Sequence, residues 1–190
     1  MLTSPSRLAL LVVALWGTGS APASRAAVTI TLSEVGGDVV ANASGSLDLS
    51  GLHFVEPASI PSLIYPAVAA LTVGPTYAEV ENYDGLTAWP EDFGPGGTRA
   101  PDSSSGDFFG VGRDTFAIQR YYQNFSPLSG SSIWQNRTFD ELGVTPGSYT
   151  WSWSTDSITL NVVPEPSLSI IAVAGGCTAG YAGALRRGRP

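Results

Sequence analysis

The stretch Thr145-Pro146-Gly147-Ser148-Tyr149-Thr150-Trp151-Ser152-Trp153-Ser154-Thr155-Asp156-Ser157-Ile158-Thr159-Leu160-Asn161-Val162-Val163 decides the fold. It opens with a turn, proline suiting the second position and glycine the third. Beyond it Tyr149, Trp151 and Trp153 recur with a period of two, and after a polar break Ile158, Leu160 and Val162 resume the alternation. In an extended chain successive side chains point to opposite faces, so this predicts two strands, each with one buried face.

Reading outward, the same signal recurs and no amphipathic helix does. Val28, Ile30 and Leu32 alternate with Thr29, Thr31 and Ser33. Gly36-Gly37-Asp38 then supplies residues tolerant of positive φ, and a second stretch starting at Val39 carries Leu47 and Leu49 between Ser46, Asp48 and Ser50, which predicts a hairpin. Leu63 to Val73 is strand-like but broken by Pro66, so it reads as an edge strand or two short pieces. Further strands are predicted at 77–83, 107–111, 114–122 and 131–134, with one helical turn at 139–142. The segment 86–106, rich in Gly, Pro, Ser and Asp, reads as a long surface loop anchored by Trp89 and Phe93. Many short strands with Gly/Pro turns predict an all-β body, an antiparallel sandwich or jelly-roll-like fold, in one domain over 27–163.

Both ends of the chain differ from this body. Residues 1–26 place Arg7 ahead of the apolar run Leu8 to Trp16 and two sites for cleavage, Ala21-Pro22-Ala23 and Ser24-Arg25-Ala26. This is the layout of a signal peptide, with a mature chain starting near Ala27. At the other end Pro164-Glu165-Pro166 precedes an uncharged run, 167–185, that as a helix would cover about 28 Å and so predicts a transmembrane helix. Arg186, Arg187 and Arg189 follow as a basic stop. The two prolines fix φ and remove two donors, keeping the tripeptide extended and open to a protease. The same layout also describes a permanent type I anchor. Either reading puts the body outside the cytoplasm.

Between those ends the body holds four arginines against fifteen carboxylates, a formal charge of −11, and no lysine. Such a surface repels phosphate backbones and anionic headgroups, which excludes nucleic-acid binding and peripheral membrane attachment and leaves a soluble body that could attract cations. The single cysteine, Cys177, falls in the apolar tail, so the body has no disulfide, no thiolate nucleophile and no thiolate metal site.

Val163-Pro164-Glu165-Pro166, the apolar run and Arg186-Arg187 resemble the PEP-CTERM sorting signal of exported bacterial proteins handled by a membrane enzyme, exosortase. More loosely, the body is similar to a recurrent group within that family through residues 30–37, 45–49 and 145–151. The resemblance implies transport across the inner membrane, transient anchoring through 167–185, processing near Pro164 to Pro166 and a Gram-negative type of host, commonly one making exopolysaccharide.

No catalytic constellation emerges. His53 is the only histidine and has no thiol partner, and the acidic pairs Glu79 with Glu81 and Glu91 with Asp92 read as solvated surface. Gly110-x-Gly112-x-Asp114-x-Phe116 partly imitates a calcium-binding repeat, but one copy cannot stack on itself. Three glycosylation sequons start at Asn42, Asn124 and Asn136. Aromatic residues are the better lead. Trp89 and Trp134 are the candidate platform for sugar rings, whereas Trp151 and Trp153 share a face with the core-like Tyr149. The expectation is an exported, non-enzymatic protein of the envelope or extracellular matrix, without cofactor or metal. The alternatives are a carbohydrate-binding or glycan-active module in the same location and a permanently anchored membrane protein.

Overall fold

The computed structural model of the chain describes residues 27–164. The predicted signal helix at 1–26, Glu165 and Pro166, the predicted span at 167–185 and the arginines at 186, 187 and 189 all lie outside the described residues. Twelve strands form two six-stranded sheets. Sheet A orders β11 (Gly147–Ser152), β12 (Ser157–Val163), β1 (Val28–Val35), β2 (Asp38–Gly45), β10 (Leu128–Trp134) and β7 (Ser103–Gly106). Sheet B orders β3 (His53–Pro61), β6 (Tyr77–Asp84), β9 (Phe116–Gln119), β8 (Phe109–Val111), β5 (Ala70–Val73) and β4 (Ile64–Tyr65). Among the described residues no helix is long and apolar enough to cross a membrane.

Residues 27–164 form an all-β sandwich, and their alternation explains the layering. From sheet A, Leu160, Ile30 and Ala43 lie opposite one another in one row and Trp151, Ile158 and Val28 in the next, all buried. Sheet B answers with Ile64, Leu71, Val111 and Phe116 in register. Each buried indole finds a carbonyl: Trp134 Nε1 donates to Arg99 O at 3.3 Å, Trp151 to Gly112 O at 3.0 Å and Trp153 to Asp48 O at 2.8 Å. A buried N–H without a partner would cost about 1–3 kcal/mol, so these bonds let large amphipathic rings serve as core.

The β1–β2 hairpin turns through Gly36 and Gly37, both at positive φ, as a two-residue type I′ loop requires. Phe93 is buried against Tyr149 and Trp151, at ring-centroid distances of 5.8 and 6.4 Å, and so anchors the long loop as expected. Trp89, the other expected anchor, is 41% exposed. Pro66 splits its segment into β4 and β5, with β4 at the sheet edge.

Four features depart from the sequence reading. The end of the expected loop at 86–106 is strand β7, which alternation does not show because Ser103, Ser104 and Ser105 are all polar. Strand β3 also lacks a period-two signal, since Pro57 and Pro61 interrupt it and most of its residues are exposed. It is tolerated at the rim of sheet B, where prolines four apart leave missing donors on one side of the strand. Leu47 and Leu49 are buried but follow β2 instead of extending it. The sheets are antiparallel except for β1 and β12, which run parallel from Val28↔Ile158 to Ser33↔Val163. That pairing sends the chain into sheet A at one end and out, at Pro164, at the other.

Many of the carboxylates serve the backbone. Asp102 Oδ2 accepts from Gln135 N and Asp38 Oδ1 from Asn136 N, both at 2.8 Å, and Glu34 Oε1 accepts from Phe139 N. Thr138 and Glu141 complete a capping box on α1 (Phe139–Leu142), the predicted helical turn.

Candidate functional site

The outer face of sheet A carries three rows of side chains without a single charge. Thr150, Thr159, Thr29, Ser44 and Ser129 form one, and Ser148, Asn161, Thr31, Asn42, Ser131 and Ser105 the next. The third, nearest the exit at Pro164, turns apolar at Val163, Val40 and Ile133. Neighbouring hydroxyls and amides bond along the rows, Ser148 Oγ donating to Asn161 Oδ1 at 2.9 Å, with Ser105 and Ser131 Oγ 3.1 Å apart.

Over these rows lies a groove of about 420 Å³, lined by Thr29, Thr31, Asn42, Ser44, Ser105 and Ser131 among others. Its size falls in the range of small-ligand sites. Hydroxyl and amide groups both donate and accept, so the lining suits a polyhydroxylated, uncharged ligand. Its lining offers hydroxyl, amide and backbone groups, with no carboxylate, imidazole or thiol among them.

The aromatic platform expected from sequence is not assembled. Trp134 is fully buried under its bond to Arg99 O and offers no ring face to a ligand. Its place on the inward phase of β10, opposite Val39, is the reason. Trp89 stands alone on the surface beside the bridge between Ala88 and Ser152. Pro164 is exposed directly after Val163, itself 47% exposed, at the end of β12.

Several of the other residues singled out by sequence have structural partners. His53 is exposed, its Nδ1 3.2 Å from Asp84 Oδ1. Glu79 pairs with Arg120 at 3.2 Å, Glu81 accepts from Tyr83 Oη at 3.0 Å, and Asp92 accepts from Gly94 N. The glycine-rich stretch 110–116 forms β8, a turn closed by Gly112 N to Thr115 O, and the start of β9. Among the described residues no three His, Cys, Asp or Glu side chains are grouped to hold a metal ion.

Three tyrosines titrate high because burial disfavours the phenolate. Tyr83 is pushed up to about 12 by burial and then by its bond to Glu81. Burial also raises Tyr122, opposed by the hydrogen bond to Leu47, and raises Tyr149, helped by the charge of Asp92.

Sequence reasoning missed the groove because it sought aromatic rings. The signal was nonetheless present in the polar half of each alternation, Thr29 and Thr31, Asn42 and Ser44, Ser129 and Ser131. No protein-family model matches the chain, and neither a curated protein nor a solved structure matches it.

Proposed function

We propose that the chain is an exported, non-enzymatic protein of the cell envelope or extracellular matrix, carried by a signal peptide over 1–26 and sorted by a PEP-CTERM-type signal over 164–190 that exosortase processes. One observation carries this reading: Pro164-Glu165-Pro166, an uncharged run long enough to span a bilayer, and a basic terminus follow in that order. The exposed exit of β12 at Val163 and Pro164 is compatible with it, because a protease needs an extended chain clear of the body. Intact-mass measurement on protein recovered from native cells and medium tests it. Loss of residues 1 to about 26, and of those beyond the tripeptide, is expected. A mature form that keeps 186–190 would instead mark a permanent anchor, and a full-length mass confined to the cytosol would overturn export altogether.

A second reading is favoured by the groove on sheet A: in the same location, the protein binds a neutral glycan such as the host's exopolysaccharide. Titration of the full chain with that polysaccharide should show binding that Asn42→Ala with Thr31→Ala weakens. Trp89→Ala tests the exposed tryptophan of the described residues in the same assay, and release of reducing ends would reveal a glycan-active enzyme.

A further inference from the structure

The segment from Arg120 to Ser126 joins β9 to β10 and is fixed from within. Tyr122 Oη accepts from Leu47 N and donates to Ser126 O, both at 2.8 Å, and Asn124 Oδ1 accepts from Leu49 N at 3.1 Å while its Nδ2 donates to Asp48. Phe125 N donates to Leu47 O at 2.8 Å. These bonds leave Tyr121 77% and Phe125 62% exposed. Both residues hold left-handed backbone, with φ of 64° and 67°. Glycine or asparagine adopts that conformation readily, but for a bulky side chain it is strained. Among the described residues the other two non-glycine residues at positive φ are Ala69, which ends a turn of 3-10 helix, and Asn136. The strain thus coincides with bulk only where the bulk faces water.

Scattered exposed apolar residues are ordinary, and Phe54, Tyr77 and Trp89 need no explanation. Two rings held outward against backbone preference, on a loop pinned at its alternate residues, are different, because glycine or asparagine would take that backbone at lower cost and bulk there points to function.

We propose that Tyr121 and Phe125 are ligand-contact residues that stack on the ring faces of a neutral glycan; the inference rests on the glycan-binding reading above and extends its site from sheet A onto this loop. The loop runs directly into β10, whose Ser129 and Ser131 line the groove, while Arg120 ties its first half to Glu79 of β6 in sheet B. The Arg120 guanidinium lies 5.0 Å from the Tyr121 ring centroid and is ion-paired to Glu79, which steadies that ring without presenting an unpaired charge. The body's charge of −11 argues against an anionic polymer.

The test uses the full chain in mild detergent and the double variant Tyr121→Asn with Phe125→Asn, compared by melting temperature and by titration. The probes are a soluble neutral β-glucan, the neutral polysaccharide fraction from the host's medium, and phosphatidylcholine vesicles. The expected result is a melting temperature that holds or rises by a few degrees, because asparagine relieves the strain, together with glycan affinity lowered at least about tenfold. A fall in melting temperature would show that the rings hold the fold and would overturn the proposal. Equal glycan binding by both forms would overturn the role of the loop and leave the groove reading standing. Absence of glycan binding by the unaltered chain overturns both, and ring-dependent binding to the vesicles alone would make the loop a lipid contact instead.

Discussion

Two rows on the outer face of sheet A consist of threonine, serine and asparagine alone, whereas the outer face of sheet B buries apolar groups a second time. Val80, Phe108 and Ala117 lie buried on the side of sheet B turned away from the main core, packed with Ala58, Ile60 and Ala78. Beside them a depression of about 280 Å³ is lined by Ile60, Pro61, Leu63 and Val111, with Gly110 and Ala117 paired across it. One sheet therefore shows a single core face and a hydroxylated outer face; the other is apolar on both. The lesson is that an outward face in a sandwich is not a surface by default. Sheet A is the one that has been left free to contact something polar.

Phe108→Ala separates the two outer faces by the largest expected effect. If the outer cluster on sheet B is a true second core, unfolding in denaturant should show a loss of about 3–5 kcal/mol, as for any buried phenylalanine. A loss under about 1 kcal/mol would demote the cluster to surface. Gly110→Ala comes next, since an added Cβ would meet Leu71 O of the neighbouring strand at 2.3 Å. Backbone cannot yield as a side-chain tip can, and about 1–3 kcal/mol of destabilisation is expected, with β5 and β8 moving apart in hydrogen exchange.

Alkali probes the inner faces of both sheets together, because Tyr83 belongs to β6 and Tyr149 to β11. Their phenols, like that of Tyr122, have folded-state pKa values above the unfolded value of 10.0. The unfolded chain then releases its protons first, so the contribution is whole below pH 10 and is lost as pH rises toward about 12. Melting temperatures measured from pH 9 to 12 should fall over that interval, less steeply in Tyr83→Phe. The smallest effect is expected where the comparison began: Thr29→Ala or Ser129→Ala on the outer face of sheet A should change stability by no more than about 0.5 kcal/mol. A larger loss would mean that the hydroxyl rows hold the sheet together and are not merely available to a ligand.

Strands with a clean period of two are legible in the amino-acid sequence. Val28 to Ser33 and Ile158 to Val162 can be assigned because hydrophobic and polar residues alternate, and the Gly36-Gly37 turn because positive φ needs glycine. Strands β3 and β7 are not legible, one carrying two prolines and the other only serine and glycine, since their pairing depends on what lies beside them. The polar residues of sheet A are written in the sequence too, but only the fold shows which half of each alternation gathers into a groove. Tryptophan is equally suited to a core and to a sugar platform, and Trp134 became core by standing opposite Val39 on the inward phase of β10.

The all-β class, the negative charge of the body and the order of tripeptide, apolar run and arginines follow from the order of amino acids alone, because period, charge and hydropathy are local properties of a chain. Folding settled that β1 and β12 pair in parallel, that three tryptophans face inward, and that Tyr121 and Phe125 face out on a strained loop. Those outcomes rest on contacts between residues as far apart in sequence as Leu47 and Tyr122 or Asp48 and Trp153, and no local pattern encodes a partner that distant.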